Sequence, residues 1–163
     1  MLYVYLTLFA AAIVALDQWT KALAAAQLAD AANVLIPGWL ELRYTTNDGM
    51  ALSMLSGARW LFVVVGVLFV ALVIWAIAKK HITKKPELWC VAAITGGAIG
   101  NLIDRVATGQ VIDMICVPWF STFNVADIFI TVPAVVLILY ILIFDREFLS
   151  DKPKKDASHD DPA

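Results

Sequence analysis

The sequence predicts an all-α integral membrane protein, with four transmembrane helices carrying a small extracytoplasmic β-cradle and a short interfacial helix or loop. Three observations lead there. Hydrophobic residues fill 61% of the 163 positions and the mean hydropathy is +0.80, whereas about half is ordinary for a soluble domain. Four apolar stretches, roughly residues 2–27, 60–78, 88–106 and 126–144, each approach the ~20 residues a helix needs to cross ~30 Å of hydrocarbon. Between the first two, Leu40, Leu42 and Tyr44 alternate with Glu41, Arg43 and Thr45, the period of two that marks a half-buried strand.

Taken in order, the first stretch ends near Ala24-Ala25-Ala26, which resembles the cleavage site of a removable leader. It has no basic start and runs on through Asp17 and Lys21, so it reads as a retained anchor. Asp17 and Lys21, four apart on a helix, are expected to form a charge pair near the outer interface with the lysine snorkelling toward water. Pro37-Gly38 opens the next segment. Its alternating run, the turn-forming Asn47-Asp48-Gly49 and the apolar residues 50–55 suggest a hairpin or cradle on the membrane surface, the plain alternative being a connector. In that plain reading Asn47 is a turn residue and Gly49 a residue needed for positive φ.

The second span carries no charge from Leu61 to Ala78 and is expected to be a scaffold. The third holds Gly96, Gly97 and Gly100, a pattern of small residues that lets another helix approach closely. At its outer end Asn101, Asp104 and Arg105 share a face, and an Asp-Arg pair there is expected to orient the loop beyond. Pro118, Trp119, Phe120 and Phe123 favour the interfacial zone, so the stretch after Val106 is expected to lie on the outer surface as a short helix or loop.

Charge sets the orientation. The loop between the second and third spans holds Lys79, Lys80, His81, Lys84 and Lys85, whereas Arg43 is the one basic residue between Leu28 and Ala58. By the positive-inside rule the lysine loop is cytoplasmic, both termini with it. Residues 1–148 are then a single four-helix membrane domain and 149–163 an acidic, disordered cytoplasmic tail that supplies much of the net charge of −2. Nothing suggests nucleic-acid binding. Cys90 and Cys116 are expected at opposite ends of a membrane helix and free. His81 and His159 are both assigned to the cytoplasmic side, so no metal site is expected.

Asp113 and Asp127 carry the chemistry. A carboxylate beside hydrocarbon is costly to keep ionised, and Asp113 has apolar neighbours and no cationic residue within four positions. Asn124 to Asp127 could be a helix cap and nothing more. If folding brings Asp113 beside Asp127, repulsion lets the pair hold one proton near neutrality. One carboxylate can then deprotonate water while its partner polarises a carbonyl. The rival class is a small proton- or ion-coupled membrane carrier, which would place polar residues through the depth of several spans. A third reading is a structural subunit that would tolerate Asp113→Asn.

The blocks Asp17-Gln18-Trp19-Thr20-Lys21, Asn47-Asp48-Gly49-Met50-Ala51, Gly96 through Arg105, Val111-Ile112-Asp113 and Phe123-Asn124-Val125-Ala126-Asp127, in that order on four spans, resemble the bacterial lipoprotein signal peptidase, or signal peptidase II, family. The resemblance covers nearly everything before the tail. It implies a membrane-embedded aspartic endopeptidase of the bacterial inner membrane, with no cofactor. The implied enzyme is a monomer in the phospholipid bilayer, cutting diacylglyceryl-modified prolipoproteins before the lipidated cysteine near the outer leaflet. Carried over by position, Asp113 and Asp127 match the catalytic pair. Asn47, Gly49, Asn101, Arg105 and Asn124 match residues that bind substrate or order the site, as do Asp17 and Lys21 of the first helix. Asp104 is acidic and close by, but the family pattern places catalysis on the Val-Ile-Asp aspartate. Where the family usually shows Ala-Ala-Phe after the glycine, this chain has Met50-Ala51-Leu52, from which altered pocket packing is expected.

Overall fold

The computed structural model describes residues 1–30, 32–49 and 57–144. The 50–55 part of the cradle, the Met50-Ala51-Leu52 departure, the domain boundary at 148 and the tail lie outside the described residues. Four helices long and apolar enough to cross a membrane form the body: α1 (Leu2–Gln27), α2 (Arg59–Ala78), α3 (Lys85–Ala107) and α4 (Val125–Phe144). They begin and end within three residues of the stretches read from sequence.

α3 is the central helix, packed against α1, α2 and α4. Its glycines explain why. A Cβ on Gly96 would stand 2.9 Å from the Ala10 carbonyl oxygen, on Gly97 2.5 Å from that of Ala126, and on Gly100 2.5 Å from Asp17 Oδ2. Gly96 and Gly97 thus take α1 and α4 at backbone distance and Gly100 makes room for the Asp17 side chain, close packing that substitutes for the hydrophobic force missing between helices in lipid. On α1 the buried residues are Leu6, Ile13, Asp17, Lys21 and Ala24, spaced by seven, four, four and three, which is one helical face. α2 has no buried residue, as a lipid-facing scaffold should.

Four antiparallel strands cover one end of this bundle, in the order β1 (Asn33–Ile36), β2 (Leu40–Asn47), β3 (Val111–Val117) and β4 (Ser121–Phe123). The expected β-cradle is present, but its composition corrects the sequence reading twice. Pro37-Gly38 does not open the hairpin; these residues turn it, with Gly38 at φ +74°. And the stretch after Val106, expected as a short helix or loop, is a second hairpin. Its run Val111-Ile112-Asp113-Met114-Ile115-Cys116-Val117 is rich in β-branched residues and bounded by Gly109 and Pro118, strand signals that the aromatics obscured. Pairing with β2 also satisfies the backbone of a segment lying where water is scarce. The two hairpin turns meet through Trp39 and Trp119, edge to face at 5.6 Å.

Candidate active site

β3 enters the site through its register on β2. Thr45 lies opposite Asp113 and Asn47 opposite Val111, so Asn47, two positions along, shares the face of Asp113. Its Nδ2 donates to Asp113 Oδ2 at 3.2 Å, while its Oδ1 accepts from Gly49 N at 3.0 Å. Asn47 is thus a turn residue and a carboxylate ligand at once.

Asp127 is placed by the start of α4. Asn124 Oδ1 accepts from Asp127 N at 2.9 Å and Asp127 Oδ2 accepts from Asn124 N at 3.1 Å, a reciprocal capping box. The side-chain amide of Asn124, fully buried, donates onward to Asp113 Oδ1 at 2.7 Å and to Asn101 Oδ1 at 3.1 Å. Asn101 Nδ2 in turn donates to Asp127 Oδ1 at 2.8 Å. The two aspartates are therefore joined through one asparagine on one side and two on the other.

Behind this layer sits an ionic core. Lys21 Nζ contacts Asp17 Oδ2 at 2.7 Å, Asp104 Oδ2 at 2.8 Å and Asn101 Oδ1 at 2.9 Å, which uses all three ammonium donors. Only 2% of Lys21 is exposed. The expected snorkelling lysine is thus corrected: two buried carboxylates and an amide hold it inward, where it compensates charges that would otherwise stand unpaired in low dielectric. The Asp104 expectation is corrected too. Its contacts are Lys21, Gln18 Nε2 at 2.8 Å and Ile112 N at 3.2 Å, and no ion pair with Arg105 forms. Asp104 still orients the following loop, through the Ile112 amide. Asp17 Oδ1 accepts from Ala126 N at 2.9 Å and so holds the first turn of α4 from across the bundle. Gln18 stands in the first quoted block but was given no role there; its amide ties Asp17, Asp104 and the Gly100 carbonyl together.

A cavity of about 660 Å³ opens over the aspartates. Asn47, Gly49, Asn101, Arg105, Asp113 and Asp127 all line it; Asn124, Asp17 and Lys21 support it from beneath. Arg105 donates to the Gly49 carbonyl at 3.3 Å and stacks on Phe62 at 4.9 Å, presenting a fixed cation at the rim. Phe123, the first residue of the last quoted block, also lines the cavity, as do Ser121 and Thr122 of β4 and Thr131 of α4, to which no motif pointed. Burial, and next the charge of Asp127, push the Asp113 carboxyl up to about 6, against the pull of the Asn47 and Asn124 amides and of Lys21. Among the described residues no group of three His, Cys, Asp or Glu could hold a metal ion, and both cysteines are free.

Residues 9–143 match the model of the family described as signal peptidase (SPase) II. The chain belongs to the signal peptidase II family. It is 39% identical over 140 residues to a lipoprotein signal peptidase of Symbiobacterium thermophilum, covering 82% of this chain and 91% of that one. Against one from Listeria monocytogenes serotype 4a, identity is 34% over 148 residues, with 88% and 96% covered. Among solved structures, a bacterial membrane enzyme determined by the in meso method at 2.3 Å superposes with a TM-score of 0.79 at 27% identity, over 93% of each chain. A second, at 1.9 Å, gives 0.75 at 29% identity, over 86% of this chain and 94% of that one. Family membership makes the chain a protease, and with four apolar helices it is a multi-pass bacterial membrane protein.

Proposed function

We propose that this protein is an aspartic endopeptidase that removes the signal peptide from diacylglyceryl-modified prolipoproteins, cutting just before the lipidated cysteine, with Asp113 and Asp127 as the catalytic pair. The observation that carries this is the opening of both carboxylates onto one cavity, linked through Asn124. Relatives named lipoprotein signal peptidase support the substrate class. Family membership lends nothing to the ion-coupled carrier.

The roles follow from the environments. Asp113, whose proton is retained to about pH 6, donates to the scissile carbonyl oxygen while Asp127 takes a proton from water and the water oxygen attacks the carbonyl carbon. In the resulting gem-diol, Asp127 returns its proton to the departing nitrogen, the C–N bond breaks, and one diol hydroxyl gives its proton back to Asp113. Both carboxylates end as they began. Apolar lining from Phe120, Ile128 and Val132 beside the polar groups suits a substrate that is greasy at one end. The site lies at the outer leaflet with both termini cytoplasmic, by the lysine asymmetry, and the enzyme acts as a monomer on substrate arriving through the bilayer.

The test is a gel-shift cleavage assay in detergent on a lipid-modified prolipoprotein, with Asp113→Asn, Asp127→Asn and Asp104→Asn alongside the parent. Loss of cleavage in the first two, folded by thermal unfolding, is the expected result. Normal cutting by either sinks the assignment.

A further inference from the structure

We propose that β4 is the docking strand for the peptide, the residues ahead of the scissile bond binding in extended form as a fifth strand of the sheet; this deepens the peptidase reading and rests on it. The sheet order leaves β3 on one side of β4 and, among the described residues, no strand on the other. An edge strand presents unpaired N–H and C=O groups that template the addition of another chain. The sheet's other edge, β1, contributes nothing to the cavity, whereas all three β4 residues line it together with Asp113 and Asp127.

Register points to the residue that does the pairing. In an antiparallel ladder, alternate residues turn their backbone groups toward the partner and away from it. Ser121, Thr122 and Phe123 stand opposite Val117, Cys116 and Ile115. The Thr122 carbonyl accepts the Ser121 hydroxyl at 3.2 Å, a local bond of the kind that serves a backbone group left out of the ladder. On that register Thr122 is the residue assigned N–H and C=O groups that face away from β3, and it lines the cavity. The chain then runs from Phe123 into Asn124 and the first turn of α4, so a strand laid along β4, ~4.8 Å away, is led to the carboxylates. Backbone pairing of this kind reads side chains only through alternate pockets.

The test uses the full-length protein in detergent and a lipidated prolipoprotein peptide, with single N-methyl groups placed in turn on the backbone amides preceding the cut. Methylation removes one donor, so every second position is expected to lose about tenfold in kcat/KM and the intervening ones to change little. Thr122→Pro, tolerated at a strand edge where the N–H points outward, is expected to lower kcat/KM about tenfold with an unchanged melting temperature. Methylation costs without alternation, or full activity in folded Thr122→Pro, overturn the docking strand while the peptidase stands. A parent peptide that is not cut at all removes both.

Discussion

Replacing Gly97 by alanine tests whether the closeness of α3 and α4 is what aligns the site. The added Cβ would stand 2.5 Å from the Ala126 carbonyl oxygen and 2.9 Å from Ile130 Cγ1, where ordinary contact begins at 3.4 Å. Backbone cannot swing aside as a side-chain tip can, so the first turn of α4 must retreat by most of that ~0.9 Å. Asp127 sits on that turn, one residue beyond the clash. A misplacement of ~1 Å at reacting groups costs on the order of 100-fold in rate, and overpacking costs about 1–3 kcal/mol in stability, partly offset by the ~1 kcal/mol that alanine gains over glycine in a helix. Gly66→Ala is the control: the nearest atoms to its Cβ all belong to the Leu102 side chain, the first a methyl at 3.3 Å, a flexible end that can yield. Cleavage by gel shift and thermal unfolding in detergent, run on both variants, separate rate from folding. A Gly97→Ala protein that stays folded and cuts within about twofold of the parent would refute the view that this helix contact positions Asp127.

Four further outcomes follow. Because the Asp113 carboxyl is raised from 3.8 to about 6, kcat/KM should fall as pH climbs through about 6 and the shared proton leaves; a profile flat from pH 5 to 8 contradicts the assigned acid. The linked stability has the same sign, present below 3.8 and lost as pH rises through about 6, a slope that thermal unfolding should show and Asp113→Asn should lack. Lys21→Met strands two buried carboxylates and should destabilise by about 3–5 kcal/mol, readable as a large fall in melting temperature; an unchanged value would mean that the ionic core does not hold the bundle. Asp104→Asn keeps a side chain that can still accept from Gln18, so it should lower the melting temperature yet leave measurable cleavage, in contrast to Asp113→Asn.

The four helices were legible because length and apolarity decide them, with no tertiary information required. The place of Asp113 in the candidate site was legible for a related reason: a carboxylate in apolar surroundings demands partners, and the Asn47 and Asn124 amides supply them at the cavity. The second hairpin was misread because Trp119 and Phe120 mark an interface equally well as turn or helix residues, while the β-branched run from Val111 to Val117 carried the evidence that mattered. Lys21 was misread because a lysine on a membrane helix snorkels by default. What reverses the default is Asp104, 83 positions later in the chain, brought within reach only because Gly96 and Gly100 let α3 settle against α1. Spacing within one helix cannot reveal such a pair. Ser121 and Thr122 were not legible, since what brings them to the cavity is the pairing of β4 with β3, which no local pattern announces.

The cap and the candidate active site at the head of α4 are often alternatives when only sequence is in view, yet here they are one arrangement. A carboxylate offers about four lone-pair positions. Asp127 gives one on Oδ2 to Asn124 N and one on Oδ1 to Asn101 Nδ2; Asp113 gives one on each oxygen to Asn124 and Asn47. Every oxygen is held by a donor and each retains a free lone pair. The amides therefore fix the carboxylates without consuming them, leaving room for a proton on one side and a water on the other. Asn124 holds the Asp113 carboxylate through its side-chain amide and the Asp127 carboxylate through its backbone N–H, so any movement of the helix cap moves the two carboxylates in concert. Using one set of bonds to start α4 and to align the pair removes the freedom by which a folded bundle could have a misaligned site.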